Sequence, residues 1–159
     1  MSDYEPANSV RSFFERLAGL DAAGRARLRR AAGQPLAESR GALGLSFSVL
    51  PPGVPAYQEE AYFLAATLFP LADGGGDGDL GAALRKARND RNAKGVDRRM
   101  HILLDSDVEQ LSFRLRQAVT FLQSCRVRVD WPRLLDDLLD WGSPRRHVQR
   151  RWARSYYAE

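Results

Sequence analysis

The sequence predicts an all-α protein, on two observations. Apolar residues recur at intervals of three and four through most of the 159-residue chain, which is the spacing of one helix face. Residue types that favour helix N-termini precede these runs at Asp21, Asp79, Ser106, Asp130 and Ser143. The alternating stretch at residues 126–129 is too short to support a sheet alone.

A glycine-rich segment divides the chain. Residues 73–79 combine four glycines with three aspartates, a composition typical of a flexible linker. We therefore predict two small helical subdomains, an N-terminal one over residues 1–72 and a C-terminal helical bundle over residues 80–159.

In the N-terminal half, the pattern predicts three helices. The first ends near Asp21, which caps the second. Residues 33–56 hold several prolines and glycines and are predicted as irregular loop. The third helix runs from about Tyr57 until Pro70 stops it.

In the C-terminal half, the pattern predicts five helices. Their expected starting residues are, in order, Asp79, Asp97, Ser106, Asp130 and Ser143. Ser106 pairs with Glu109 in a capping box, and Val108 is placed on the inner face of that helix. Gly142 ends the fourth helix, and Pro144 falls in the first turn of the last.

Charge is unevenly distributed along the chain. The net charge is +4, and all but two of the 24 basic residues are arginine. Residues 41–84 contain no lysine or arginine, while basic residues crowd on either side. Arginine suits bidentate phosphate contacts, although a GC-rich genome also enriches it. The segregation is therefore more informative than the ratio, and it indicates a molecule with distinct faces.

The last predicted helix separates its apolar and charged residues. On a helical wheel, one side carries Val148, Trp152 and Tyr156. The opposite side carries a stripe of three arginines, Arg146, Arg150 and Arg154. We interpret the stripe as a candidate phosphate contact. The alternative is a solvated surface whose acidic partners come from the aspartates of the preceding helix.

The sequence offers no catalytic residue, no metal site and no cofactor motif. Its two histidines lie in separate helices without a nearby nucleophile, and no Gly-rich nucleotide-binding motif occurs. The 73–79 segment lacks the pattern of a calcium loop. A single cysteine, Cys125, and the lack of a signal-peptide pattern lead us to expect a cytoplasmic protein that is no enzyme and meets no membrane.

A set of ordered blocks gives the sequence a family resemblance. The blocks are Arg27–Arg30, Tyr62–Phe69, Leu80–Leu84, Asp97–Leu104, Leu115–Arg116, Asp130–Leu135, Trp141–Gly142 and Arg151–Trp152. In this order they resemble the CasB family, the small subunit of the type I-E CRISPR surveillance complex called Cascade. The resemblance extends from about Phe13 to Tyr157.

The resemblance implies a non-catalytic helical protein that works inside an assembly. Its expected partners are crRNA and target DNA, the large subunit and backbone subunits of Cascade, and a second copy of itself. Basic surface residues would hold the target and displaced strands. The family's basic positions fall here on Arg30, Arg99, Arg116, and Arg145 or Arg146, whereas near Ala56 and Asp105 a base expected from the family is missing.

The full set of predicted nucleic-acid-binding residues is wider than those positions. It comprises Arg27, Arg30, Arg88, Arg91, Lys94, Arg99, Arg116, Arg145, Arg146 and Arg150. The main alternative is a helical adaptor whose basic faces meet an acidic protein partner. A sequence-specific helix-turn-helix regulator lacks a recognisable recognition helix, and a nuclease lacks metal ligands.

Overall fold

A computed structural model describes residues 6–158, with side chains from residue 9 onward. Within that range nine α-helices form: α1 Pro6–Ala18, α2 Ala22–Ala31, α3 Leu43–Val49, α4 Glu59–Leu68, α5 Leu80–Ala87, α6 Ala93–Leu104, α7 Val108–Ser124, α8 Trp131–Leu139 and α9 His147–Tyr157. Short 3-10 turns lie at Leu36–Glu38, Ala56–Gln58 and Phe69–Leu71. Residues 6–158 contain no strand, and the all-α prediction is confirmed.

Three predicted helix caps are confirmed. Asp21, Asp79 and Asp130 each accept a hydrogen bond from the backbone N–H three residues later, at 2.7, 2.9 and 3.2 Å. Each carboxylate satisfies an N–H that the first helical turn leaves unpaired, which fixes where α2, α5 and α8 begin.

Two predicted helix starts are wrong, because the side chains of the two predicted caps make other contacts. α6 begins four residues before Asp97, which lies inside the helix and pairs with Arg88. The capping box of α7 uses Asp107 and Gln110, one residue later than predicted. The hydroxyl of Ser106 instead donates to the carbonyl of Ile102, at the end of α6.

The last helix also begins later than predicted. α9 starts at His147, and Arg146 before it has a left-handed backbone with φ of 51°. Ser143 and Pro144 therefore lie in a turn ahead of the helix. Arg146 occupies the N-cap position, but its side chain makes no capping hydrogen bond. The helical stripe of three arginines is consequently reduced to Arg150 and Arg154 within α9.

The segment predicted as irregular, residues 33–56, contains the short helix α3. Its first turn is reinforced by the Ser46 hydroxyl, which donates to the Leu43 carbonyl at 2.9 Å. Val49 is buried, and α3 contacts both α1 and α2. Tertiary packing thus stabilises a seven-residue helix that its own sequence would not hold.

The glycine-rich segment is bonded to the chain ahead of α8. The Val129 N–H donates to the Asp73 carbonyl at 2.9 Å, and the Gly76 N–H donates to the Val129 carbonyl at 3.2 Å. A Cβ on Gly76 would lie 2.4 Å from the Arg128 carbonyl oxygen, so a larger residue would force this approach apart. The flexible linker at residues 73–79 stays a prediction.

The division into two subdomains stays a prediction, and its outer limits, residues 1–5 and 159, lie outside the described range. The buried apolar residues on both sides of residues 73–79 belong to one hydrophobic cluster. Within it, α8 contacts α1 and α4, so the two halves share packing.

The C-terminal bundle is organised around α9. Trp152 is fully buried, and its indole N–H donates to the Asp137 carboxylate at 2.7 Å. Arg151 bonds the other oxygen of that carboxylate. Burial raises the pKa of Asp137, and the two donors oppose the rise. The carboxylate therefore ties α8 to α9 from inside the bundle.

Gly81 allows α5 to lie directly against α9. A Cβ at this position would be 2.2 Å from the Trp152 carbonyl oxygen, a backbone atom that cannot rotate away. The two helices could not keep this separation with any other residue at position 81.

We expect Gly81→Ala to destabilise the protein by ~2–3 kcal/mol, because α5 and α9 must move apart. Gly95→Ala is the matched control, since Gly95 also lies in a first helical turn but has open space around its Cβ position. That control should gain about 0.5–1 kcal/mol from helix propensity. Chemical denaturation measures both, and equal stabilities would contradict the close α5–α9 contact.

Candidate nucleic-acid interface

Two neighbouring depressions on the surface are lined by arginines, and we call the residues that line them the arginine face. Its five arginines come from α2, the loop after it, α6 and α7, and they are Arg27, Arg30, Arg40, Arg99 and Arg116. The first three line a depression of about 590 Å³ next to Gln34 and Glu38. Arg99 and Arg116 line a second depression of about 490 Å³ together with Phe113 and Phe121.

Arg116 of the second depression lies next to Gly33 in the turn after α2, and Gly33 is one residue before Gln34 of the first depression. Gly33 there has φ of +85°, and a Cβ added to it would lie 3.0 Å from Cδ of Arg116 and 3.8 Å from Cα of Phe113. The Ser112 hydroxyl is 3.5 Å from the Gly33 carbonyl, which it can donate to. The arginine face is therefore continuous from α2 across Gly33 to α7.

Helical periodicity places the arginines of α2 and α7 outward. α2 buries Leu28 and Ala31, so Arg27 and Arg30 lie on its exposed side. α7 buries Leu115 and the residues one turn later, so Arg116 points away from the core. The core thus determines which side of each helix carries charge.

The arginine face is positively charged, because its five arginines outnumber the one acidic side chain in its lining. In the described part of the chain, none of its five arginines takes part in an ion pair. Glu38 is the acidic residue in its lining. The guanidinium of Arg99 lies 4.7 Å from the centroid of the Phe121 ring, an orientation that cation–π attraction favours.

An aromatic side chain lies within this basic surface. Phe113 is 56% exposed and lines the same depression as Arg99 and Arg116. Guanidinium groups beside an exposed ring can meet both the phosphates and the base faces of a single strand. This arrangement suits nucleic acid better than it suits a purely ionic protein contact.

Arg88 is occupied by structural contacts. Its Nε lies 3.0 Å from the carboxylate of Asp97, which also accepts a hydrogen bond from the Tyr156 hydroxyl. The hydrogen bond from Arg88, followed by that from Tyr156, holds the pKa of Asp97 below its ordinary value. Arg88 therefore joins α5, α6 and α9, and it has less freedom to meet a phosphate.

The remaining predicted residues lie elsewhere on the surface. Arg91 and Lys94 are exposed at the start of α6, and Arg145 and Arg150 are exposed around the start of α9. None of the four lines the arginine face. Arg146 donates to the Leu104 carbonyl, so charge reversal there would disturb a chain contact as well as the surface charge.

The aspartates of α8 do not neutralise the arginines of α9 that remain in the stripe. Asp137 pairs with Arg151, and Asp140 lies 3.5 Å from His147. Among the described residues, Arg150 and Arg154 have no acidic partner.

Sequence reasoning missed two members of this surface, Arg40 and Phe113. Arg40 lies in the segment predicted as loop, where no periodicity shows its direction. Phe113 and Arg116 are three residues apart on α7 and share one helix face, a spacing that could have indicated their proximity.

Neither a cluster of metal ligands nor a membrane-spanning helix occurs among the described residues. No group of three or more His, Cys, Asp or Glu side chains is placed to hold a metal ion. None of the described helices has the length and apolar character that crossing a membrane requires.

The fold and the arginine face define an all-helical protein with a basic, partly aromatic surface. Residues 24–157 match the family model for CRISPR-associated protein Cse2. The chain belongs to this family, and the resemblance to the CasB family is confirmed.

Individual relatives agree with this assignment. CRISPR-associated protein Cse2 of Thermus thermophilus is 45% identical over 102 residues, which are 63% of this chain and 57% of that protein. The match therefore spans little more than half the length of that curated relative. The crystal structure of CasB from Thermus thermophilus has a TM-score of 0.81 and 36% identity, covering 98% of this chain and all of the other.

A third match comes from an assembly. A chain of a CRISPR RNA-guided surveillance complex has a TM-score of 0.78 and 25% identity to this protein. The similarity covers 94% of this chain and 92% of the other.

We expect Tyr156→Phe to raise the pKa of Asp97, because the variant loses one of the two donors that stabilise the carboxylate. A carboxyl whose pKa is lowered by folding contributes stability above its unfolded value, and this contribution is lost as the pH falls through the folded pKa. Tyr156→Phe should therefore unfold more easily at neutral pH and lose less stability on acidification.

NMR titration of the Asp97 side-chain carboxyl measures this shift. Tyr157→Phe is the control, because the described hydrogen bonds to Asp97 come from Arg88 and Tyr156. An Asp97 pKa that is the same in wild type and Tyr156→Phe would contradict the contact.

Proposed function

We propose that this protein is the non-catalytic small subunit of a type I-E CRISPR Cascade complex in antiviral defence. Its role is to hold the target and displaced DNA strands without reading their sequence. Membership of the Cse2 family and the likeness to a chain of an RNA-guided surveillance complex support this assignment. The observation that carries the binding role is the arginine face, whose five arginines form no ion pair among the described residues.

The chemistry of that face suits a polyanion held by its backbone. Arginines presented to solvent gain affinity by displacing counterions from phosphates, a term that is independent of sequence. Phosphate contacts fix position, and base-edge contacts would be needed to read sequence. In RNA-guided systems base pairing supplies that specificity, so the protein needs only to stabilise the strands.

The proposed partners follow from the same assignment. They are crRNA and target DNA, the large subunit and backbone subunits, and a second copy of this chain, assembled in the cytoplasm. Bracing these components requires rigid helices and fixed surfaces, and it needs no catalytic group.

We expect the isolated protein to bind a single DNA strand of about 30 nucleotides weakly, with affinity falling steeply between about 50 and 200 mM salt. Charge reversal at one arginine of the face, as Arg30→Glu, Arg99→Glu or Arg116→Glu, should weaken binding roughly fivefold or more. It should also flatten the log–log salt slope by about 0.7 per lost phosphate contact. Fluorescence anisotropy measures both quantities.

The matched control is Arg133→Glu, since Arg133 is exposed but does not line the arginine face. It should retain most of the affinity, and thermal unfolding should show that every variant keeps the fold. DNA affinity that does not change with salt, together with saturable binding to an acidic protein, would favour the alternative function of a helical protein-binding adaptor. Equal losses of DNA affinity in Arg133→Glu and Arg116→Glu would show that the affinity depends only on the net charge of the protein.

A further inference from the structure

A second surface differs in chemistry from the arginine face. A groove of about 660 Å³ runs between the two halves of the chain, and its walls come from residues 34–38, 57–64, 108–112 and 138–142. Its lining includes the buried side chains of Phe63, Leu111, Leu138 and Trp141. The floor of this groove is therefore apolar.

Two exposed apolar side chains extend this lining toward solvent. Tyr57 is 83% exposed on the N-terminal wall, and Val108 is 55% exposed on the C-terminal wall. Val108 was predicted to face the core, and that prediction is wrong because α7 begins with Val108 at its first position. Single exposed apolar residues are common, but these two line the same groove.

The charged residues of the groove are all acidic. They are Glu38, Glu60 and Glu109, and the lining contains no lysine, arginine or histidine. Glu60 accepts a hydrogen bond from the Leu36 N–H at 3.0 Å, which fixes the carboxylate at the rim. Such a rim is unusual on a chain of net charge +4. Its N-terminal wall includes part of the segment that lacks basic residues.

The charge of the rim selects among possible occupants. Three carboxylates repel the phosphates of DNA or RNA and attract ammonium and guanidinium groups. An apolar floor removes apolar side chains from water. A volume near 660 Å³ accommodates several side chains, as in grooves that take one face of an amphipathic helix.

We propose that this groove binds a segment of another protein that presents apolar side chains flanked by lysine or arginine. The proposal does not depend on nucleic-acid binding, because the groove and the arginine face share only Gln34 and Glu38. This chain itself has an apolar side chain next to an arginine, Phe113 beside Arg116, in the arginine face. Binding of this pair in the groove of a second copy would be self-association, and the test below detects it.

The probe is a fluorescein-labelled peptide of about 15 residues, built from leucine and lysine in amphipathic helical order. One comparison peptide has the same composition in scrambled order, and another carries glutamate in place of lysine. The 159-residue chain should bind the first peptide saturably and bind the other two at least about tenfold more weakly.

Substitutions then locate the site. Val108→Ser and Tyr57→Ser should each weaken binding roughly five- to tenfold, and Glu109→Gln should weaken it a few-fold and reduce its salt dependence. Phe47→Ser and Asp90→Asn are the matched controls, because both residues are exposed and lie outside the groove. Both controls should bind as the wild type does.

Several results would overturn the proposal. Equal binding of the three peptides, or unchanged peptide binding by Val108→Ser, would each contradict the groove as the site. So would competition between DNA and peptide that depends on the arginine face. In that case, a single DNA strand would displace the peptide from the wild type at a concentration that leaves it bound to Arg116→Glu. A concentration-dependent dimer that Val108→Ser abolishes would assign the groove to a second copy instead. Loss of DNA binding in Arg116→Glu with peptide binding intact would leave this proposal standing and test only the arginine face.

Discussion

The buried carboxylate of Asp137 is the interaction on which the C-terminal half depends. It lies in α8 and binds two neighbouring residues of α9, the indole of Trp152 and the guanidinium of Arg151. Burial raises the pKa of this carboxyl because it disfavours the charged form, and the hydrogen bond from Trp152 and the charge of Arg151 oppose that rise. With α9 held in this way, α5 contacts its backbone at Gly81, and α6 packs against both.

The packing of the C-terminal half also positions surface arginines, which lie on α6 and α7. α6 contacts α5, α9 and α7, and it carries Arg99 to the ring of Phe121 on α7. α7 in turn carries Arg116 to the turn at Gly33, beside the arginines of α2. The arginine face is thus assembled from helices whose mutual positions are set by the core. The acidic groove lies beside it because Gln34 and Glu38 line both.

Local sequence was sufficient for features that arise within a few residues. The caps at Asp21, Asp79 and Asp130, and the burial of Trp152 on the apolar side of the last helix, follow from spacing and residue type. Features that depend on a distant partner could not be found in this way. The residue type of Asp97 predicts a helix start. Its contacts with Arg88 and Tyr156 are tertiary, so the local sequence does not indicate them. The left-handed backbone of Arg146 has no sequence signal. For the candidate site, the resemblance indicated Arg30, Arg99 and Arg116. The spacing of Phe113 and Arg116 on α7 could have indicated Phe113, whereas the position of Arg40 could be found only from the folded structure.

The central claim is that the arginine face holds a nucleic-acid strand. Hydrogen–deuterium exchange of the chain with and without a single DNA strand of about 30 nucleotides tests it most directly. If the strand binds the arginine face, amide exchange slows at the C-terminal end of α2, through residues 33–41, and along α7 from residue 113 to residue 124. Unchanged exchange in these segments, with slowing at residues 57–64 and 138–142 instead, would contradict it.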